Sequence, residues 1–400
     1  MSKIDTDPKR IDELLTRGVV EVIDREHLRT ALLSGKQLRV KLGIDPTSPN
    51  IHIGRAVLLH KLRVFQEMGH KVVLIIGDAT GVIGDTSDKD AERPMLAKED
   101  IKRNLKTYLA QAFKILNKSK TETHFNSKWL KKIDIDEWGR MADLFSLHEL
   151  EARENIAKRM KAGKRVSLRE MFYPLMQGYD SVAVKSDIEV GGTDQKFNLL
   201  SGREIQRAYG MGSQDILMTE ILLGTDGRKM SSSWGNVINL TDSANDMFGK
   251  VMSIKDELIE KYFILATNVS RETIPSILAK GPRDAKMDLA TEIAKLYHGE
   301  KVAHQAREHF LNVFSRKELH NTELSEFKAR NKEQSVLDLI SSQQDAKLPS
   351  LRSKTELKRL VSEGAVEING VVKKDFWEVV KPIEGETLKI GRNVFRIKLI

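Results

Sequence analysis

At 400 residues the chain exceeds a single small core and predicts two or three domains, the first large enough to bury a substantial interior. It contains no cysteine, which excludes disulfides, thiol nucleophiles and thiolate metal sites, and no run approaches the roughly 20 apolar residues of a membrane span. Lysine plus arginine exceed aspartate plus glutamate by 66 to 57, and the net charge of +9 favours a polyanionic partner.

Met1 to Asp7 lack the apolar stretch of a signal peptide, so the expected location is the cytoplasm. Residues from about Arg10 to Leu33 read as amphipathic helix ending near Ser34-Gly35. Val40, Leu42 and Ile44 then alternate as a short strand, Pro46 and Pro49 stop regular structure, and apolar residues recur at helical spacing from Val57 to Phe65. The turn between them, Asp45 to Gly54, precedes a helix start, where unpaired backbone amides and a partial positive charge suit an anion such as phosphate. Gly54 would let a bulky group approach the backbone. Equally compatible with this stretch alone is an ordinary connection carrying a surface histidine.

Val72 to Ile76 form a continuous apolar run, as expected for a strand buried on both faces of a parallel sheet, and complete a βαβ unit. The glycine-rich loop Gly77 to Ser87 follows, matching neither a dinucleotide fingerprint nor a P-loop. Glu99 to Leu116 read as helix. Residues 135–170 are helical and increasingly basic, with seven basic residues against three acidic ones between Glu151 and Glu170, and 135–185 is expected to be an insertion between two halves of the sheet. That basic face fits solvent and a polyanionic partner equally well. Strands return at Ser186 to Val190 and around Ile216 to Leu223, before a turn and a polar loop, Gly224 to Ser233, mobile by composition.

From Ser243 to about Ala329 the pattern is helical, broken at Pro275 and Gly281-Pro282, and predicts a separate α-helical domain. His304 and His309 stand five apart, turned away from each other on a helix, and no His-Glu-x-x-His occurs, so no protein metal site is expected. Ser341 to Asp345 read as a linker. A small unit begins at Pro349, with a basic helix, Lys354 to Glu363, and strands around Val366 to Val372 and Val394 to Leu399. Asn369-Gly370 is a hairpin-turn signal.

Tyr173, Gln177 and Asp180 share one helical face at i, i+4, i+7, so a phenol, an amide and a carboxylate can converge on one small ligand. His52-Ile53-Gly54-Arg55 matches most of the His-Ile-Gly-His motif of class I aminoacyl-tRNA synthetases, and Lys229-Met230-Ser231-Ser232-Ser233 most of their Lys-Met-Ser-Lys-Ser. With Tyr173 to Asp180 and Gly191 to Gln195 added, the chain resembles the tyrosyl-tRNA synthetases of the bacterial branch over essentially its whole length.

The resemblance implies a fold, a reaction and a set of site residues. The fold is α/β: a Rossmann-like catalytic domain over 1–235, an α-helical anticodon-binding domain over 236–340, and a small α+β RNA-binding domain over 349–400. The reaction joins tyrosine to tRNA through a tyrosyl-adenylate, with ATP as substrate, magnesium accompanying the ATP, and a homodimer formed through the insertion. Thr47, His52 and Lys229 are the implied catalytic residues. Asp85, Tyr173, Gln177, Asp180 and Gln195 are implied to bind tyrosine, with Asp180 accepting from its hydroxyl. Gly54, Gly192, Asp194 and Met230 join His52 and Lys229 at ATP, Lys89 and Arg93 fit positions near pyrophosphate and solvated loop charges equally well, and Lys354, Lys358 and Arg359 are placed to reach RNA phosphates.

Three positions depart from the family pattern: Arg55 replaces the final histidine, Ser232 the second lysine, and Lys41 a tyrosine that touches the substrate hydroxyl in another branch. A tryptophanyl enzyme is the nearest rival, opposed by the phenol-directed Asp180. A small nucleotidyltransferase would leave the Lys229 loop and the C-terminal domains unused. A non-catalytic RNA-binding protein would not need Thr47, His52, Asp180 and Lys229 together.

Overall fold

A computed structural model describes residues 3–85, 95–315, 325–330, 332–341, 354–391 and 393–400. The chain divides into two compact units, 1–307 and 308–400. Among the described residues no helix is long and apolar enough to cross a membrane.

The first unit is built on a six-stranded sheet: β1 (Val19–Ile23), β2 (Arg39–Ile44), β3 (Lys71–Ile76), β4 (Thr121–Phe125), β5 (Ile188–Gly192) and β6 (Asp215–Thr219), in the spatial order β1-β6-β5-β2-β3-β4. Strands β2 to β6 are parallel, whereas β1 pairs antiparallel with β6 at the edge. Val72 to Ile76 are fully buried, as their unbroken apolar run requires. The chain steps outward from β2 through β3 to β4, then returns to the other side of β2 for β5 and β6. The order therefore reverses between β2 and β5, which is where a parallel α/β sheet leaves a crevice at the carboxyl ends of its strands.

Two strands escape the sequence pattern. The single helix predicted over 10–33 is two helices, Pro8–Thr16 and Arg25–Leu33, with β1 between them. The β-branched run Val19-Val20-Glu21-Val22-Ile23 fits a pleated edge better than a helix. Strand β4, Thr-Glu-Thr-His-Phe, is half-buried along its whole length and lacks apolar alternation.

The connection from β4 to β5 contains the expected insertion, but its last helix, Leu168–Val184, belongs to the core. It starts on a capping box between Ser167 and Glu170 and ends at Lys185 in the left-handed region. Along its length it packs on the helix Lys196–Ala208, which the glycine at 178 permits. A Cβ there would stand 2.6 Å from Ile205 Cδ1 and 3.1 Å from the Ser201 carbonyl.

The basic stretch before it is not uniformly a solvated or RNA-facing surface. Arg153 and Arg159 are buried, and Arg169 donates to the Ile83 carbonyl at 2.9 Å. Arg159 grips Glu170 with two nitrogens, at 2.6 and 2.9 Å, and donates to the Arg165 carbonyl at 2.7 Å.

Helices from Ala244–Met252 to Pro282–His298 follow, and they lie in the same compact unit as the sheet. Buried polar contacts tie the two regions: the Arg17 guanidinium donates to the carbonyls of Phe263, Ile264 and Thr267, and His60 Nε2 meets the Tyr297 hydroxyl at 2.9 Å.

The second unit corrects the boundary expected at 349. Strand β7 (Ser325–Ala329) pairs in parallel with the C-terminal strand, so part of the stretch read as the end of the helical domain belongs to the small unit's sheet. Between these come β8 (Gln334–Ser335), β9 (Val366–Ile368), β10 (Val371–Lys373), β11 (Val379–Val380), β12 (Thr387–Ile390) and finally β13 (Asn393–Leu399). Five strands run β10-β9-β12-β13-β7, while β8 pairs with β11. Phe327, Val336, Leu339, Val361, Leu388 and Ile397 fill its core. Asn369 and Gly370 turn between β9 and β10 with φ of 48° and 79°. Of the predicted linker, 342–345 lie outside the described residues.

The Arg159–Glu170 pair generates a stability prediction. Arg159→Ala leaves a carboxylate buried without its partner and should cost about 3–5 kcal/mol of unfolding free energy, read from denaturant midpoints, whereas the double change Arg159→Met with Glu170→Leu should recover most of that loss. Equal stability of the single variant and the unaltered protein would contradict the structural role.

Candidate active site

A cavity of about 710 Å³ opens at the carboxyl ends of β2 and β5, lined by Leu42 to Asp45 on one side and Glu189 to Gly192 on the other. Its position is the strand-order reversal described above. Thr47, His52, Gly54, Asp85, Tyr173, Gln177, Asp180, Gly192, Asp194, Gln195, Lys229 and Met230 all line it. These residues come from five separate stretches of chain.

At one end the helix Leu168–Val184 presents its polar face. The Tyr173 hydroxyl donates to Asp45 Oδ2 at 2.9 Å, and Thr80 Oγ1 donates to Asp45 Oδ1 at 2.7 Å. Asn126 Nδ2 then donates to Thr80 Oγ1 at 3.0 Å and to Asp180 Oδ2 at 3.3 Å, so an arc of hydrogen bonds leaves the helix at Tyr173 and returns to it at Asp180. Trp129 Nε1 donates to the other Asp180 oxygen at 2.7 Å. Gln177 Nε2 donates to Glu189 Oε1 at 3.1 Å. Every polar side chain on that face is thereby held by a partner from a different element.

Burial pushes the Asp180 carboxyl up to about 7, against the Lys41 charge and the hydrogen bonds from Trp129 and Asn126, with Glu189 adding to the rise. Burial also raises the Tyr173 phenol well above its usual value, followed by the carboxylates of Asp45 and Asp85, so it stays protonated and donates. Near the mouth Gln195 Nε2 donates to Asp85 Oδ2 at 2.6 Å, and Asn198 Nδ2 donates to Gln195 Oε1 at 2.9 Å.

The opposite end is cationic. His52 caps the helix Ile53–Glu67, its Nδ1 accepting from the Arg55 amide at 3.3 Å, which leaves the proton on Nε2. Burial, then the charges of Arg55 and Lys229, lower the imidazole pKa to about 3, so His52 is a neutral hydrogen-bond donor and not an acid. Arg55 spans Thr47 Oγ1 at 3.3 Å and the Tyr108 hydroxyl at 3.1 Å. A Cβ on Gly54 would stand 3.1 Å from His52 Nδ1 and 3.3 Å from Met230 Sδ, so the glycine lets the helix start and the Lys229 loop approach each other.

That loop is tied more firmly than its composition suggests. Asn236 Nδ2 donates to Asp226 Oδ1 at 2.8 Å and to the Lys229 carbonyl at 3.1 Å, and its Oδ1 accepts from the Ser231 amide at 2.9 Å. Beyond it, Ile53 N donates to the Ile238 carbonyl and Leu240 N to the Ile51 carbonyl, both at 2.9 Å, so the loop continues directly into a bridge with the helix start. Lys229 Nζ lies 2.8 Å from Asp194 Oδ2.

Other predicted residues lie elsewhere. Lys89 and Arg93 fall outside the described residues. In the second unit Lys354 opens the helix Lys354–Ser362, Lys358 Nζ sits 5.1 and 5.4 Å from the ring centres of Phe376 and Trp377, and the exposed Arg359 is 3.4 Å from Glu363. Sequence reasoning did not assign Asp45, Thr80, Asn126, Trp129 or Glu189. Asp45, Thr80, Asn126 and Trp129 share a signal, position just beyond a parallel strand's carboxyl end, and for Asn126 and Trp129 that strand, β4, was itself unread, whereas Glu189 lies near the start of β5.

A family model described as tRNA synthetases class I (W and Y) matches residues 33–315. Among curated relatives, the "Tyrosine--tRNA ligase" of Thermotoga maritima is 43% identical over 399 residues, 97% of each chain. That of Carboxydothermus hydrogenoformans is 44% identical over 407 residues, covering 98% of each. Among solved structures, a tyrosyl-tRNA synthetase complexed with L-tyrosine from Archaeoglobus fulgidus shares the fold, with TM-score 0.60, 23% identity, and coverage of 75% of this chain and 100% of that one. A C-terminally truncated Aspergillus nidulans mitochondrial tyrosyl-tRNA synthetase aligns with TM-score 0.64 at 22% identity, over 76% of this chain and 94% of its own.

The His52 environment yields a pH prediction. Because its pKa is lowered to about 3, the imidazole should show no protonation between pH 9 and about pH 5 in nuclear magnetic resonance spectra of ring-labelled protein. A midpoint near the ordinary value of about 6.5 would contradict the donor role.

Proposed function

The chain belongs to the class I tRNA synthetases, among the tyrosine–tRNA ligases, and on that premise we propose how its cavity divides the reaction between its residues. It activates tyrosine with ATP and transfers the tyrosyl group to tRNA. The observation that carries the assignment is the convergence of one buried carboxylate, Asp180, and one cationic helix start, His52 to Arg55, at opposite ends of a single cavity.

The tyrosine side chain enters toward the helix Leu168–Val184, its hydroxyl donating to Asp180. Phenylalanine leaves that buried acceptor without a donor, a cost for which tyrosyl-tRNA synthetases are themselves the familiar example. Asp85, Tyr173, Gln177 and Gln195 hold the ammonium and carboxylate end. Asp194 takes the ribose hydroxyls beside Gly192, which means that the nucleotide displaces Lys229 from its ion pair.

The tyrosine carboxylate is already a nucleophile. It attacks the α-phosphorus of ATP, forming the phosphoryl–oxygen bond of tyrosyl-adenylate while the bond to pyrophosphate breaks and its electrons leave with that group. The protein's task is alignment and stabilisation of the departing charge. Thr47 and His52 donate from the helix start, and Lys229 brings its charge from the loop. Arg55 supplies a cation on the helix side, offsetting the uncharged Ser232 on the loop. ATP enters as its magnesium complex. In the second step a hydroxyl at the tRNA 3′ end attacks the tyrosyl carbonyl and AMP leaves.

The protein works in the cytoplasm, where translation consumes charged tRNA, and as a homodimer. Supporting the dimer, Ile135, Leu144, Leu147, Met160, Leu168 and Phe172 are exposed large apolar side chains within the insertion and the start of its last helix, apolar surface that a second copy would cover. The second unit holds RNA through Lys354, Lys358 and Arg359, and the exposed Trp377 beside Lys358 offers a stacking face.

Amino-acid-dependent exchange of labelled pyrophosphate into ATP tests the assignment. Exchange should occur with tyrosine and stay near background with phenylalanine and tryptophan; equal signals for tyrosine and tryptophan, a residue the family model also covers, would overturn the specificity. In parallel assays of exchange and tRNA charging, protein ending at Arg307 should retain exchange while charging tRNA less well, and the full chain should show the steeper loss of tRNA affinity as salt is raised. Undiminished charging at every salt concentration would remove the RNA-binding role from 308–400.

A further inference from the structure

Two charged side chains without a part in the scheme above lie sealed beneath the amino-acid end of the cavity. Lys41 on β2 and Glu189 on β5 are opposite each other in the parallel register, with side-chain exposures of 0% and 1% and Nζ 2.9 Å from Oε1. The ammonium's other two hydrogens go to Ser181 Oγ at 2.6 Å and the Gln177 carbonyl at 3.1 Å. The carboxylate accepts in addition from Gln177 Nε2 at 3.1 Å, Ser181 Oγ at 3.3 Å and Gln214 Nε2 at 2.5 Å.

Stability alone does not call for such a pair, since buried ion pairs are often replaceable by apolar residues at no loss. Its partners point to another role. Gln177 and Ser181 flank Asp180 on the same turn of the helix Leu168–Val184, so the pair grips the one segment whose orientation decides where the Asp180 carboxylate points. Among the described residues acting on Asp180 it also delivers the only full positive charge. The others are the neutral donors Trp129 and Asn126 from beyond β4 and the negative Glu189 itself, while Asp180 in turn acts on Tyr173 of its own helix, which is hydrogen-bonded to Asp45.

We propose that Lys41 and Glu189 are positioning residues for amino-acid recognition: they hold the Gln177 amide at the cavity wall and favour the form of Asp180 that accepts from the substrate hydroxyl. The inference rests on the reading of this cavity as the tyrosine site. The signs follow from the charges. Lys41 draws the Asp180 pKa down more than Glu189 raises it, so loss of both charges lifts the carboxyl further, and loss of Glu189 alone lowers it.

The test is the pH dependence of tyrosine KM in pyrophosphate exchange, on the full chain, for the double variant Lys41→Met with Glu189→Gln and for Glu189→Gln alone. In the unaltered protein KM should climb as pH falls below about 7. In the double variant that climb should begin about one pH unit higher, raising KM at neutral pH by up to about tenfold, with the change carried by KM more than by kcat and with poorer rejection of phenylalanine. Glu189→Gln should move the climb to lower pH, an opposite displacement that a merely structural role would not produce and that remains measurable if the double variant fails to fold. Tyrosine-dependent exchange with the climb unmoved in a folded variant, or displaced in the same direction by both changes, overturns the pair's role alone. Absence of tyrosine-dependent exchange in the unaltered protein overturns the cavity reading and the proposal with it.

Discussion

A carboxylate kept almost dry is the constraint around which the first unit is arranged. Asp180 is buried, its pKa is pushed up to about 7, and an acceptor in that state is useful only if its oxygens are aimed and its charge is compensated. The fold meets both needs with elements distant in sequence. Trp129 and Asn126 come from beyond β4, Thr80 and Asp45 from the turns after β3 and β2, and Lys41 with Glu189 from β2 and β5 themselves. A site of this kind requires the strand-order reversal, because only there do two strand ends diverge enough to admit a ligand while their interiors remain packed.

Charge is separated along the cavity. One end, proposed for the amino acid, collects Asp45, Asp85, Asp180 and Glu189, whereas the other, proposed for the phosphates, collects Arg55, Lys229 and a histidine that burial and the neighbouring charges hold neutral. A neutral imidazole adds a directed donor without adding a third charge, and its tautomer is set by the amide it caps. The bridge between 51–53 and 238–240 makes helix start and loop one local structure, so the two motifs that resemble the family's signatures are mechanically joined. The departures within them are opposite in charge: a cation is gained at Arg55 and one is missing at Ser232.

What was legible in the sequence was whatever depends on local periodicity. Val72 to Ile76 announced a buried strand, and Tyr173, Gln177 and Asp180 announced a shared face, because both patterns repeat within a few residues. What escaped depends on partners far along the chain. Strand β1 was taken into a helix because an antiparallel edge strand five residues long has little periodicity of its own, and β4 hid because a half-exposed strand can be polar throughout. Arg153 and Arg159 looked like surface charge, since their burial rests on Glu170 and on Phe197, whose ring lies 5.1 Å from the Arg153 guanidinium. The boundary near 349 failed for the same reason: β7 finds its partner in β13, some 70 residues on, and no local signal marks that pairing. Lys41 had no role in the sequence because its partner Glu189 is likewise remote.

The central claim is that tyrosine is recognised by a carboxylate that the empty site holds partly protonated and the bound hydroxyl draws into its ionised form. Calorimetric titration of tyrosine into the protein at pH 6, repeated in buffers of different ionisation heat, measures that directly. With Asp180 raised to about 7 in the free protein, binding should release close to one proton per site at pH 6 and almost none at pH 9, and Asp180→Asn should abolish the release. A binding heat that is the same in every buffer at pH 6 would contradict the account.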